Sequence, residues 1–203
     1  MTFAPDRRLV LSGLIAAPLA ASPLSAFAQA VAPATGDIVL GNPDAAVTVI
    51  EYASFTCPHC KSFHVNTWPR FKEEYVDTGK VKFIMREVYF DKYGLWASMT
   101  ARCGGEKGFY AMTDTFLKQQ SVWTKADDIG QAIQQIGRRA GLSQEQLSAC
   151  LSDTDYAKEL LAAYQKNAAD DGVRSTPTFI INGESHSGAM GFEEFAKIVD
   201  AAL

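Results

Sequence analysis

Two cysteines with two residues between them, Cys57 and Cys60, follow an apolar run that ends at Phe55 and precede a segment with helical character. Thiols at this spacing at the start of a helix lie on one face, close enough to form a disulfide within a small ring. The unpaired N–H groups and the positive dipole end of the helix favour a thiolate on the first cysteine, which we expect to be exposed. The pattern therefore indicates a redox-active dithiol.

The residues between the cysteines suit the same chemistry. Pro58 fits the first turn of a helix, where no N–H donor is lost, and His59 adds a partial or full positive charge beside a thiolate. A lowered pKa of Cys57 stabilises the reduced protein, because only that form carries the negative charge, so the disulfide form becomes an oxidant. In the expected reaction a substrate thiolate attacks Cys57, Cys60 leaves, and a second substrate thiol resolves the mixed disulfide.

The same four cysteines leave a second possibility open. Cys57 and Cys60 could join Cys103 and Cys150 as ligands of a zinc ion, since two-residue spacing also occurs in zinc sites. The second pair has no such tight spacing and lies in a different part of the chain, which makes zinc the weaker interpretation. We expect no metal and no cofactor.

The elements that must position the dithiol can be predicted on both sides of it. The run from Val47 to Tyr52 is β-branched and apolar on both faces, as in a central strand that is covered on each side. A helix follows from Cys57 and is expected to end before Gly79, and Val81 to Val88 forms a second strand. A strand, a helix and a strand in this order make a parallel pair.

Beyond the second predicted strand, the sequence pattern changes from strand to helix and then back to strand. From about Tyr93 to Asp171 the pattern is helical throughout, with a capping box formed by Ser143 and Gln146. Strand signals then return at Thr178 to Ile181, a tight turn at Asn182-Gly183 leads to a return strand from Ser185 to Gly188, and an amphipathic helix ends the sequence.

The first thirty residues have the composition of an export signal. Arg7 and Arg8 precede an apolar stretch from Leu9 to Ala21, and small residues end it at Ala26-Phe27-Ala28. A membrane anchor is the alternative, but the stretch is shorter than the roughly 20 residues of a membrane span and contains Pro18. The arginine pair is compatible with general secretory or twin-arginine export.

The amino-acid composition limits the kinds of molecule that this protein is expected to bind. The 203 residues are 47% hydrophobic and 21% charged, with a formal net charge of −4, which is typical of a globular protein and does not favour nucleic acid or anionic membrane. An even number of cysteines, four, in an exported protein favours disulfide chemistry.

Taken together, these features resemble the DsbA-like thiol:disulfide oxidoreductases of the bacterial periplasm, which have the thioredoxin fold. The resemblance rests on Cys57-Pro58-His59-Cys60 after a strand, on Thr176-Pro177 before a hairpin, and on the helical segment between them, and it covers Asp37 to Leu203. It implies an α/β, thioredoxin-like fold whose central mixed sheet is interrupted by an all-helical insertion domain. The expected division is a signal peptide at 1–30, the thioredoxin-like domain at 31–91 and 172–203, and the insertion at 92–171.

The resemblance also assigns expected roles to further residues. Thr176-Pro177 matches the family's cis-proline dipeptide, which faces the active cysteines and lets a substrate backbone pair beside it. Glu51 matches a glutamate beneath the active helix, where burial would let it exchange a proton with Cys60. Some family members carry a second bridge in the helical region, which makes Cys103 and Cys150 a candidate structural disulfide; two free buried cysteines are the alternative.

The remaining histidines and aromatic residues are expected to have structural or binding roles rather than catalytic ones. We expect His64 and His186 to be surface residues. The helical segment is rich in aromatic residues, most of which should be core while some line an apolar groove beside Cys57. These aromatic residues are Tyr89, Phe90, Tyr93, Trp96, Phe109, Tyr110 and Trp123.

The resemblance thus implies a monomeric periplasmic oxidase that donates the Cys57/Cys60 disulfide to newly exported, unfolded proteins with free thiols. A membrane quinone reductase of the DsbB type would reoxidise it. Two alternatives stay open at this point: a reductase or isomerase on the same fold, and a binding or chaperone module whose cysteines are only structural.

Overall fold

The computed structural model describes residues 1–2 and 35–203. Apart from residues 1 and 2, the predicted signal peptide therefore lies outside the described residues. Within those residues, no helix combines the length and the apolar character that crossing a membrane requires.

A five-stranded mixed sheet organises the described chain. Its strands are β1 Val39–Gly41, β2 Val47–Ala53, β3 Val81–Glu87, β4 Thr178–Ile181 and β5 Glu184–Ser187. They lie in the order β1-β3-β2-β4-β5, with β2 and β3 parallel and the other neighbours antiparallel. This arrangement confirms the predicted α/β, thioredoxin-like fold with a central mixed sheet.

The central strand β2 is covered on both faces, as its continuous apolar sequence predicts. The turn between β4 and β5 is formed by Asn182 and Gly183, both with positive φ, which is why this dipeptide signals a hairpin. Asn182 also ties the hairpin to β2, because its side chain accepts from the Thr48 N–H at 2.9 Å and its own N–H donates to the Thr48 carbonyl at 3.0 Å.

The helix after Cys57 is interrupted where the sequence predicts continuity. Helix α1 spans Pro58–Asn66, α2 spans Trp68–Phe71, and a π-helical turn follows at Lys72–Val76. The interruption falls at Thr67 because Pro69 has no N–H for the Val65 carbonyl and its ring clashes with that carbonyl. The Thr67 hydroxyl instead donates to the Met190 carbonyl at 2.7 Å, which anchors the bend to the segment before the last helix.

The segment between β3 and β4 is helical. Asp91 caps its first helix by accepting from the N–H groups of Tyr93 and Gly94, and Ser143 with Gln146 forms the predicted capping box. Among the described residues its helices are α3 Lys92–Cys103, α4 Gly105–Lys118, α5 Gln120–Trp123, α6 Ile129–Arg139, α7 Gln144–Ser152 and α8 Thr154–Asp170. The last helix of the chain is α9 Phe192–Ala202.

Two contacts hold this helical segment to the sheet and to itself. The buried Arg102 on α3 donates to both carboxylate oxygens of Glu87 on β3, at 2.6 and 2.7 Å. Cys103 at the end of α3 is bridged to Cys150 on α7, with 6.4 Å between their Cα atoms. The bridge takes up two of the four cysteines that the zinc alternative requires, and the described residues contain no cluster of three or more side chains that could hold a metal ion.

Removing this bridge should weaken the fold without changing it. The bridge spans 47 residues in sequence, and closing a loop of that length in the unfolded chain corresponds to about 4 kcal/mol. We expect the double variant Cys103→Ala/Cys150→Ala to lose roughly that free energy of unfolding in a denaturant titration.

Both proteins in this comparison should carry Cys57→Ala/Cys60→Ala, so that the Cys103–Cys150 bridge is the only disulfide that differs. A loss below about 1 kcal/mol would contradict a stabilising role of the bridge.

Candidate redox site

Cys57 caps the N-terminus of α1 with an extended backbone, and Pro58 occupies the first helical position. The two thiols are unbridged; Cys57 is 7% exposed and Cys60 is fully buried. The prediction of an exposed Cys57 is therefore wrong. The loop at Thr176 covers the thiol, whose Sγ lies 3.5 Å from the Thr176 carbonyl oxygen, while Pro58 and His59 beside it stay exposed.

This covering loop contains the Thr176–Pro177 peptide bond, which is cis. It is 119 residues away from Cys57 in the sequence, and the antiparallel pairing of β4 with β2 brings it there. Pro177 is buried and Thr176 is partly exposed. The loop thus presents backbone atoms beside the Cys57 thiol.

Gln120 on α5 also contacts the residues around Cys57, and no pattern in the sequence pointed to it. Its side-chain amide is buried and donates to the carbonyl oxygens of Phe55 and Cys57 at 2.8 and 2.9 Å. These two hydrogen bonds hold the turn that enters α1 against the helical segment. Glutamine is common on helix surfaces, so only the tertiary packing identifies this one.

The surroundings of Cys57 favour its thiolate. A hydrogen bond from the Cys60 thiol is the main cause that lowers the pKa of Cys57, from 9 to about 5, against the opposing effect of burial. The Thr176 side chain and the backbone N–H groups of Cys60 and His59 contribute in the same direction. His59 acts here through its backbone, whereas the sequence pointed to the charge of its ring.

The surroundings of Cys60 favour its protonated form. Burial is the main cause that raises the pKa of Cys60, and the neighbouring Cys57 and the charge of Glu51 add to it. The reduced site at neutral pH is therefore a Cys57 thiolate that accepts a hydrogen bond from a Cys60 thiol. The two cysteines of one short motif have opposite preferences because one caps the helix and the other faces the core.

Beneath the cysteines, Glu51 is fully buried on β2 and its Oε2 lies 2.8 Å from Nε2 of His64. The prediction that His64 is a surface residue is wrong, since it is 1% exposed. His186 is partly buried rather than at the surface. The sequence did contain a signal for His64: it stands four residues after Cys60, so one turn of α1 places both on the same inward face.

His64 also has an acidic neighbour on its other side. Its Nδ1 lies 3.7 Å from Oδ1 of Asp114 on α4. Burial opposes the charged imidazolium, but the charges of Glu51 and Asp114 outweigh it and raise the pKa of His64 to about 9. The histidine is therefore a cation at neutral pH, held between two carboxylates.

A groove of about 400 Å³ opens beside the motif. Its walls come from the residues around the cysteines and from the helical segment, and include Thr56, Pro58, Lys61, Tyr93, Gln120 and Trp123. Of the aromatic residues singled out in the sequence, Tyr93 and Trp123 line this groove.

As a group, these aromatic residues are less deeply placed than predicted. Phe109 and Trp123 are buried as expected, and Phe90 is exposed. Partly buried positions at the edges of the core are taken by Tyr89, Tyr93, Trp96 and Tyr110.

Comparison with known proteins relates this chain to a protein family. A family model described as thioredoxin matches residues 34–201. A Rickettsia bellii protein named "Putative protein-disulfide oxidoreductase" is 36% identical over 148 residues, which are 72% of this chain and 57% of the relative. Disulfide bond formation protein D of Bacillus subtilis is 26% identical over 83% of this chain and 78% of its own length.

Solved structures agree with this grouping. The crystal structure of alpha-DsbA1 from Wolbachia pipientis matches with a TM-score of 0.77 at 28% identity, over 84% of this chain and 92% of the other. The chain spans only 57% to 62% of the length of five Rickettsia relatives.

The two unequal thiols make a prediction about the midpoint potential of the Cys57/Cys60 pair. Above the Cys57 pKa of about 5, reduction takes up one proton, at Cys60 only, so the potential should fall by about 30 mV per pH unit as the pH rises. Below about pH 5 both thiols take up protons and the slope should double. Equilibration with glutathione buffers across this range measures the slope.

The same ionisation stabilises the reduced folded protein: the stabilisation is fully present above the ordinary thiol pKa of about 9, declines as the pH falls below that value, and is lost at about pH 5. A two-proton slope between about pH 6 and pH 8 would show that Cys57 is an ordinary thiol, and the proposed thiolate would be wrong.

Proposed function

Because the chain belongs to the thioredoxin family and shares the fold of DsbA proteins, we propose that it is a thiol:disulfide oxidoreductase that works as an oxidase. Its Cys57/Cys60 disulfide is donated to unfolded proteins with free thiols. The observation that carries this proposal is the opposite preference of the two cysteines, a Cys57 thiolate beside a Cys60 thiol.

The direction of the reaction follows from that preference. A thiolate that is stabilised in the reduced protein makes the disulfide form less stable relative to it, so electrons flow from the substrate to the enzyme. A substrate thiolate attacks Cys57, the bond between Cys57 and Cys60 breaks, and Cys60 leaves with the electron pair. A second substrate thiolate then attacks the substrate sulfur, and Cys57 departs as the stable thiolate.

Substrate binding is proposed at the covering loop and in the groove. The Thr176 carbonyl beside Cys57 offers a backbone partner to an extended chain, and Tyr93 offers apolar surface in the groove. Such contacts recognise unfolded polypeptide without a sequence motif. Glu51 is proposed to exchange a proton with Cys60 when that sulfur leaves.

Location and reoxidation are proposed from the resemblance. The signal-like pattern at residues 1–30 supports export to the periplasm. Each turnover leaves the enzyme reduced, so a second oxidant is required, and a membrane quinone reductase of the DsbB type suits an exported DsbA-like protein. We propose that the protein acts as a monomer.

The proposal is tested with a reduced, unfolded model protein that contains two cysteines. We expect the oxidised protein to form one substrate disulfide for each Cys57/Cys60 disulfide that is lost, as counted by thiol alkylation and mass spectrometry. Cys57→Ser should abolish the reaction, because no sulfur remains for the substrate to attack, and Cys60→Ser should accumulate a mixed disulfide in the presence of an added oxidant.

Cys103→Ala/Cys150→Ala serves as the matched control and should retain the activity, since that bridge lies outside the redox site. If the substrate stays reduced, the oxidase proposal is wrong and a reductase becomes the better interpretation. Activity that persists in Cys57→Ser would point to a binding or chaperone module.

A further inference from the structure

Cys60 poses a problem that the cysteines alone do not solve. When the disulfide is attacked, this sulfur leaves as a thiolate in a position that is fully buried. An anion there is strongly disfavoured by burial and by the charge of Glu51, so it must take up a proton promptly. Glu51 can pass on a proton only if it first receives one from another group.

Among the described residues, the histidine in contact with Glu51 is His64, whose Nε2 lies 2.8 Å from Oε2 of the carboxylate. It lies one turn after Cys60 on α1 and packs against the Trp68 ring, with 5.4 Å between ring centroids. The second carboxylate oxygen of Glu51, Oε1, is buried and has no hydrogen-bond partner among the described residues. One oxygen therefore faces the proton donor while the other stays available.

The charged and titratable groups around His64 come from three elements of the fold. Glu51 approaches from β2, and Asp114 approaches from α4, where it is also paired with Lys118 at 3.1 Å. The Cys60 thiol stands on α1 itself. Asp114 is 29% exposed, whereas Glu51 is fully buried, so the line from Glu51 through His64 to Asp114 runs from beneath the cysteines toward solvent.

We propose that His64 is a positioning residue that stores the proton required by Cys60 and delivers it through Glu51, an inference that rests on the proposed oxidase function. As the bond between the two cysteines breaks, Nε2 of His64 gives its proton to Glu51, and the resulting carboxylic acid protonates the Cys60 thiolate and returns to a carboxylate. The charge of Cys60, Glu51 and His64 together is −1 before and after the transfer. Neutral His64 then keeps its remaining proton on Nδ1, beside Asp114, and Nε2 regains a proton from solvent before the next turnover.

His64 can supply a proton only while it is protonated, so the rate of the reaction should depend on pH. The rate of mixed-disulfide formation per substrate thiolate should be constant at neutral pH and should fall as the pH rises through the His64 pKa of about 9. In His64→Gln the rate should be reduced by roughly 10²-fold already at neutral pH, the lower range for loss of acid catalysis. Glu51→Gln, and the double variant, should show the same reduction and no more, because the two residues act in series.

The experiment uses oxidised protein and a small thiol whose total concentration is adjusted so that its thiolate concentration is the same at every pH. Acid quenching followed by alkylation gives the rate. Asp114→Asn is a milder variant on the exposed side, and its fall in rate should begin at lower pH because His64 loses a stabilising negative charge. His186→Gln is the matched control, a histidine outside the site, and should behave as the wild-type protein.

The outcomes separate the two proposals. Wild-type protein that fails to oxidise the thiol contradicts the oxidase function itself. Wild-type protein that reacts while His64→Gln keeps its rate and pH profile overturns only the proton store. If His64→Gln does not give the cooperative thermal transition of the wild-type protein, Asp114→Asn decides, and an unshifted profile in that variant overturns the inference.

Discussion

The hydrogen bond that the Cys60 thiol donates to the Cys57 thiolate is the interaction on which the rest of the site depends. It exists only while Cys60 is protonated and Cys57 is not, so the two sulfur atoms must sit in different environments although only two residues separate them. The helix start provides one environment, with its unpaired N–H groups, and the core beneath α1 provides the other. The oxidase function that we propose rests on that difference.

The scaffold maintains this difference from several directions. The central strand β2 places Glu51 beneath α1, the hairpin of β4 and β5 brings the Thr176 loop over Cys57, and Gln120 fixes the turn before the motif. Phe63 on α1, Phe179 on β4 and Phe195 on α9 pack against one another, with ring centroids 4.6 to 5.2 Å apart. This packing fixes the position of α1 on the sheet. These elements lie far apart in the sequence, which makes the site a product of the whole fold.

The incorrect predictions share one physical cause. His64 and the covered face of Cys57, together with the missed Gln120, are polar groups whose burial depends on partners from other elements of the fold. Polar residues are usually exposed, so an interpretation without tertiary contacts places them at the surface. The break at Thr67 is different in kind, because Pro69 is a local signal that the prediction of a continuous helix passed over.

By itself, the sequence determined the chemistry of the motif, the parallel strand pair around it, the Asn182-Gly183 turn and the capping box, because these depend on residue types and on spacings within a few turns of the chain. Only the tertiary structure decided which side chains surround the two sulfurs. The bridge from Cys103 to Cys150, the loop over Cys57 and the line from Glu51 through His64 to Asp114 each join separate elements. Electrostatic effects on a buried group depend on distance in space, and that distance is set by packing.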